Sequence, residues 1–454
     1  MKTSNLIVSS ALLLASVVWS SSASALPSFA RQTQMACASC HIQFPELTHF
    51  GRDFKLHGYT LITQPTVQER SPSSGGALSI GAYPPISAMM QVSYTSTKKA
   101  QPDSAFPSSS AQNGSVLFPQ ELSLFYAGRI SPKIGSFIQF TYDGNEDSTS
   151  IDNTDIRFSD GGFWGDVPVT YGLTLNNNPT VQDLWNSTPV WGIPYASSPI
   201  APEPTAATAL DGTLGQQVGG LGPYAAFHFG EDMLYTEMTL YRAAQPGSNG
   251  PASSQSPNDN VKNWAPYLRA AYEHSWGGNS WEVGVLGMNV DTTPTGYPVD
   301  SDPDKRKDLA ADTQYQHQEG DNVYSMNAIY IHEKQDWVAG RTAANSSDTL
   351  KTLKVAGSYY YKRTYGGYLQ YFQTTGDSDA GLYPSGEAVT GSANNSPDSK
   401  GFRIEGMYTP WENTRFALQY TDYSKFNGGK NNYDGMGRNA KDNNTLYLLS
   451  WFMW

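Results

Sequence analysis

From Ile86 to its C-terminus the chain repeats one pattern, a run of alternating apolar and polar side chains followed by a connection. Alternation with period two marks a strand with one face in an apolar medium and the other in a polar one. Ile138, Phe140 and Tyr142 interleave with Gln139 and Thr141, and Phe416, Leu418 and Tyr420 with Gln419 and Thr421. Sixteen segments are read as strands: 86–97, 119–131, 133–143, 149–160, 167–177, 219–230, 233–243, 263–275, 279–290, 308–319, 322–334, 350–363, 365–376, 400–409, 413–424 and 444–454. The alternation is least regular in 308–319 and 322–334. The connections alternate in length. Ser131-Pro132, Glu231-Asp232, Trp276 to Gly278, Gly320-Asp321, Thr364 and Pro410 to Glu412 are tight. Segments 98–118, 178–218, 244–262, 291–307, 335–349, 377–399 and 425–443 are long and rich in Gly, Pro, Asn, Asp and Ser.

An even number of ~10-residue strands, with short turns on one side and long loops on the other, describes an all-β antiparallel barrel of the outer-membrane kind. Lipid offers no hydrogen-bond partners, so a sheet within it must close. The competing fold is a soluble propeller. No blade repeat is present, and the last run, Leu446 to Trp454, is too apolar for an exposed soluble end. Charged residues are only 15% of the chain and aromatics reach 13%, which fits a wall facing lipid. A net charge of −12 without a basic patch argues against nucleic acid as a partner. Arg129, Asp155, Arg157, Glu237, Arg269, Glu273, Arg403, Glu405 and Arg415 fall opposite the apolar series. They would line a polar lumen, where mutual ion pairing is their ordinary role. The longest loop, 178–218, is expected to fold inward as a constriction.

Residues 1–25 read as a signal peptide, with Lys2, the apolar run Leu6 to Val18, and the site Ala23-Ser24-Ala25, cleaved after Ala25. That run is shorter than the ~20 residues of a spanning helix, so any membrane crossing falls to the strands. Residues 26–70 form a compact segment of net charge +1, residues 71–85 a linker, and residues 86–454 the barrel.

The only two cysteines belong to Cys37-Ala38-Ser39-Cys40-His41, the attachment pattern of c-type haem. Each thiol would add to one haem vinyl group, and His41 would be the proximal iron ligand. A redox disulfide or half a zinc site is the plainer alternative. The first lacks a βαβ context, and the second lacks its remaining ligands. One such motif means one covalent haem c. Phe44-Pro45 is read as opening a helix over 45–57, with Gly58 as its stop. Leu47, Phe50, Phe54 and His57 fall on one face of it, which would cover the haem. His57 therefore ranks first as sixth ligand, then Met35, then His49, with an open or water-bound position as a further alternative. Arg31, Arg52 and Lys55 could pair with the haem propionates; surface charge is the simpler role. Asp300, Asp302, Asp304 and Asp308 could attract a divalent cation, although a solvated acidic loop is the default.

The segment Leu26 to Thr33, the Cys-Ala-Ser-Cys-His motif and the run Phe44 to Leu61 resemble the fused monohaem cytochrome–porin family of bacterial outer membranes. Its best-known members are iron oxidases. The resemblance covers the cytochrome segment closely and the barrel by layout. It implies a small N-terminal α-helical haem domain plugging a sixteen-stranded barrel, with Cys37, Cys40 and His41 on the haem motif. The expected function is oxidation of extracellular Fe(II), with electrons passed to a periplasmic cytochrome c or copper protein and the N-terminus on the periplasmic side. A solute porin with a structural haem, and electron export to an outside acceptor, are the competing functions.

Overall fold

The computed structural model describes residues 26–63, 66–70, 77–81, 83–102, 113–244, 259–294, 297 and 301–454. The signal peptide, its cleavage point, Asp300 and part of the 71–85 linker lie outside the described residues.

Sixteen long strands form one closed barrel. They are β1 Ile86–Thr97, β2 Val116–Ser131, β3 Ile134–Asp143, β4 Ser148–Trp164, β5 Val167–Asn176, β6 Val218–Phe229, β7 Asp232–Ala243 and β8 Ala265–Trp276. The second half is β9 Asn279–Pro294, β10 Asp304–Glu319, β11 Asn322–Asp336, β12 Ser347–Tyr361, β13 Tyr365–Gly376, β14 Ser399–Trp411, β15 Thr414–Lys425 and β16 Thr445–Met453. A three-residue strand, Asp259–Val261, adds to the free end of β9. Each long strand pairs antiparallel with its neighbours in sequence, and β16 closes the ring on β1 through pairs such as Leu449↔Ser93. All sixteen sequence segments are found. Some ends move outward where the ladder outlasts the apolar pattern: β10 begins at Asp304, and Lys305 pairs with Asp336. Others draw in by one or two residues, as where β8 begins at Ala265 and β12 ends at Tyr361. Charged strand ends standing in water keep their backbone pairing while losing the alternation that lipid imposes.

Seven connections of two or three residues lie at one rim, which also holds the start of β1 and the end of β16. The opposite rim carries the long connections, with one exception, the turn 144–147 between β3 and β4. Leu124, Leu173, Val285, Leu309, Leu369 and Ile404 are exposed on the outer wall. Trp164, Trp276, Tyr324, Tyr365, Tyr408 and Trp411 are exposed near the tight-turn rim, the position of an aromatic girdle.

The lumen is filled rather than open over much of its section. Inward charges pair with one another: Arg157 Nε donates to Asp155 Oδ2 at 2.7 Å, and Arg269 reaches Glu282 at 2.9 Å and Asp312 at 2.8 Å. This is the mutual pairing expected from sequence. The loop 177–217 folds inward as expected and crosses the barrel. Trp185 Nε1 donates to Glu273 on β8 at 2.9 Å, Gln370 on β13 donates to the Ile193 carbonyl at 2.7 Å, and Ser198 bonds Thr95 on β1 at 2.6 Å.

The N-terminal segment sits inside the tight-turn end as a plug. It contains helices α1 Pro27–Thr33, α2 Cys37–Cys40 and α3 His49–Leu56, and a small hairpin pairing residues 41–43 with 46–47. The single helix read over 45–57 is corrected here. Residues before Thr48 belong to the hairpin, and the helix starts where the Thr48 hydroxyl accepts from Gly51 N at 3.1 Å. A threonine N-cap offers that amide a partner, which proline at the first turn cannot. The wall accommodates the plug by lacking side chains. A Cβ on Gly135 would stand 2.1 Å from the Gly58 carbonyl oxygen. Tyr59 donates to Asp155 at 2.6 Å, Gln43 to Thr409 at 2.9 Å, and Tyr360 to Glu46 at 3.1 Å.

Deleting residues 445–454 would expose the edges of β15 and β1 in lipid, where unpaired backbone groups cost several kcal/mol each. The truncated chain is expected to lose the compact, heat-modifiable band of the full chain in unboiled gels, and its protease resistance in vesicles.

Candidate cofactor site in the plug

Helix α2 is a single turn, so residues three apart share a face and both thiols point to one side. His41 leaves the turn in extended conformation. One residue holds this turn in place from the next helix. Thr48 N donates to the Cys40 carbonyl at 2.9 Å, and its hydroxyl donates to the Ser39 carbonyl at 2.7 Å while capping α3. Gly51, one turn into α3, lies against the same peptide. A Cβ there would stand 2.1 Å from the Cys40 oxygen, so no side chain can be placed without separating the two helices. The barrel ties the other end. Cys37 N donates to Glu412 in the β14–β15 turn at 2.9 Å, and Arg363 in the β12–β13 turn donates to the Ala38 carbonyl.

Cys37, Cys40, His41 and Met35 line one cavity. Its walls are mainly apolar, with Leu26, Phe29, Phe44 and Phe54 from the plug, Phe137 from β3, and Trp191 from the inward loop. Aromatic contacts stiffen them: Phe29 meets Phe54 edge to face with centroids 5.1 Å apart, and Phe44 meets Trp451 of β16 at 5.3 Å. Burial pushes His41 down to about 4, so the ring is neutral, the form that ligates a metal. The peptide groups at Pro45 and Glu46 oppose this shift, but Nδ1 makes no hydrogen bond of ordinary geometry. Burial raises the Cys40 thiol to about 11 and the Cys37 thiol further, with the Glu412 carboxylate adding to the latter. The two sulfurs are not joined in a disulfide. Two thiols, a neutral imidazole whose Nδ1 is orphaned, a thioether and apolar walls are a donor set that fits one c-type haem.

The other sequence candidates separate. His57 does not line the cavity. It caps α3 with its ring turned outward, Nδ1 3.2 Å from Asp53 and Nε2 3.5 Å from the Thr170 hydroxyl. The helix face carrying Phe54 toward the cavity ends before it. His49 is exposed and faces Glu273 at 3.2 Å. Met35 alone of the three distal candidates lies at the cavity.

The three cations also fail to converge. Arg31 donates to the Ile86 carbonyl on the wall. Arg52 is buried away from the cavity, donating to Glu273 at 2.7 Å and Gln316 at 2.8 Å with its guanidinium 3.7 Å from the Trp185 ring centre. Lys55 does reach the cavity, but its ammonium donates to the Val181 and Asp183 carbonyls and Asn186 Oδ1 at 2.6–2.7 Å. Burial pulls its pKa down to about 7, against the attraction of Asp155, Asp183 and Glu237.

The acidic cluster is likewise occupied. Asp304 accepts from Val338 N at 2.8 Å and pairs with Arg341 at 3.5 Å, and Asp308 accepts from Leu210 N at 2.7 Å. Among the described residues no group of His, Cys, Asp and Glu could hold a metal ion. Glu412, Phe137, Asn186 and Trp191 were not legible as site residues, because nothing local marks a turn or loop that reaches the plug from the far end of the chain. Thr48 was legible, being a capping residue directly before a helical run.

No protein-family model matches the chain, and no curated protein does. Solved structures similar to it include a loop L8 deletion mutant of OmpT, an outer membrane protein of Vibrio cholerae (9% identity, 81% of this chain and 98% of that chain, TM-score 0.41). Others are the outer membrane channel DcaP of Acinetobacter baumannii (14%, 81% and 96%, TM-score 0.42) and Salmonella typhi OmpF in complex with daunomycin (11%, 81% and 97%, TM-score 0.43).

Replacing Lys55 with Met would strand three buried acceptors, at a cost of about 1–3 kcal/mol for each group left unpaired. Hydrogen exchange over residues 181–186 is expected to quicken by about tenfold or more in Lys55→Met, with the barrel strands unchanged.

Proposed function

We propose that this chain is an outer-membrane electron-transfer protein that oxidises extracellular Fe(II) and delivers the electron to a periplasmic carrier. The carrying observation is the convergence of Cys37, Cys40, His41 and Met35 on one apolar cavity inside a closed barrel. A c-type haem bound through those thiols would supply one-electron redox chemistry. The chain's own residues do the rest. Thr48 and Gly51 fix the attachment turn against α3. Burial keeps His41 neutral, and Phe29, Phe44, Phe54 and Trp191 keep water from the cavity.

The barrel supplies the crossing. A bilayer core is ~30 Å thick, far too wide for direct transfer between the two aqueous phases. A redox centre held within the lumen divides that gap. In this reading the signal peptide is removed after Ala25, and the tight-turn rim, where the plug lies, faces the periplasm, as short turns do in such barrels. The long-loop rim then faces the donor, and its carboxylates, such as Asp143, Asp147, Asp302 and Asp377, draw in a cation.

The second reading is a solute porin whose haem is structural, and the barrel fold itself favours it. The inward loop and the plug, which reach β1, β8 and β13 across the lumen, count against a wide passage. Electron export to an outside acceptor would use the same parts in reverse.

One measurement separates the first two readings, and a second tests the ligand set. Mixing matured protein with Fe²⁺ in a stopped-flow instrument is expected to reduce the haem band within seconds; no reduction, together with solute-permeable vesicles, would favour the porin. Met35→Ala is expected to shift the low-spin spectrum without loss of covalent haem, whereas His57→Ala leaves it unchanged.

A further inference from the structure

The turn that carries the two thiols has a second face. Cys37, Cys40 and His41 look into the cofactor cavity, whereas Ala38 and Ser39, the two residues between the thiols, line a separate groove at the tight-turn rim. The groove continues over Phe50 of α3 and Trp276, His317 and Gln318 of the barrel. One helical turn with two small side chains is thus all that separates an occupant of the groove from the cavity.

The charge around the groove is net acidic, four carboxylates against two cations. The turns beside it present Glu231, Asp232, Glu319 and Asp321, of which Glu231, Glu319 and Asp321 are exposed. Lys362 offsets Asp321 at 3.8 Å, and His274 faces Asp232 at 2.6 Å. Arg363 also lines the groove, its guanidinium donating to the Ala38 carbonyl of the plug and to Gln318 Oε1 on the groove wall at 3.4 Å. The outward field is acidic.

We infer that this groove is the docking surface for a small soluble redox protein whose electron-transfer edge is ringed with lysines. The inference rests on the electron-transfer reading and adds to it where the partner sits and which charge it carries. A shallow groove bordered by charged turns suits a transient encounter of small area rather than a permanent complex. Carboxylates at such a rim act mainly on the association rate, so the encounter weakens with salt.

The test uses the matured full-length protein in detergent micelles, a small basic cytochrome c and an acidic carrier of similar size. Association is followed by line broadening of the carrier's NMR signals, which needs no electron transfer, and the electron-transfer rate by stopped flow. The triple variant Glu231→Lys, Glu319→Lys and Asp321→Lys is expected to lower both affinity and rate constant for the basic carrier by about tenfold at low salt. The difference should fade as salt rises, and reduction by dithionite should be unchanged. The neutral set Glu231→Gln, Glu319→Gln and Asp321→Asn should fall between. Equal binding by the charge-reversed protein, tighter binding of the acidic carrier, or occupation of this face by a second copy of the chain would each overturn the inference. A protein that binds the basic carrier through these carboxylates but carries no haem would instead overturn the electron-transfer reading.

Discussion

Backbone satisfaction in a medium without hydrogen-bond partners governs this structure. Each strand must find both neighbours, so the sheet closes, and the pair Leu449↔Ser93 is as necessary as any pair within the wall. Closure has two consequences. It divides the side chains of every strand between lipid and lumen, and it creates an interior that must be filled or hydrated. The outward set is chemically simple. The inward set is not, and the function is built there.

The interior is filled by two pieces of chain arriving from opposite rims, and they meet at the cavity. Lys55 of the plug is gripped by three acceptors of the inward loop, and Asn186 of that loop donates back to the Pro45 carbonyl at 3.2 Å. The cavity walls therefore come from three sources: plug, loop and barrel. Charges that might have served a ligand are used in this assembly. Arg52 is the clearest case, held between Glu273 and the face of Trp185. Removing one partner of such a pair strands the other charge, which costs about 3–5 kcal/mol. The interior charges fix how the pieces fit, and the thiols, the imidazole and the thioether are left facing the cavity.

This division explains what was legible in the sequence. The sixteen strands could be read because lipid imposes one rule on all of them, and the largest outward shifts fall where the rule lapses, as at Asp304 to Lys307. Cys37, Cys40 and His41 could be singled out because the attachment pattern has a fixed spacing, and the fold brings them to one cavity. Which distal candidate reaches the cavity could not be read, since it depends on where α3 ends. His57 lies one residue past the end of α3, as its C-cap, and pairs back to Asp53 rather than continuing the face that carries Phe54. Met35 was the less favoured candidate because it stands outside any periodic element. The partners of Arg31, Arg52 and Lys55 were not legible for a different reason: they lie up to 264 residues away, and no local pattern encodes them.

The two residues between the thiols show how sequence constraint and exposure combine. The spacing requires two residues there but does not fix their identity, and the cavity does not touch Ser39. Bulky side chains at both positions would fill the groove and lengthen the path from an outside partner to the cavity. Ala38 and Ser39 keep that wall thin, and their backbone carbonyls accept from Arg363 and Thr48, so the turn is held from both sides by groups that leave its outer face bare. A turn built only to attach a cofactor would gain from burying that face in the barrel. Leaving it open at a rim edged with carboxylates makes sense if something charged the other way must come close.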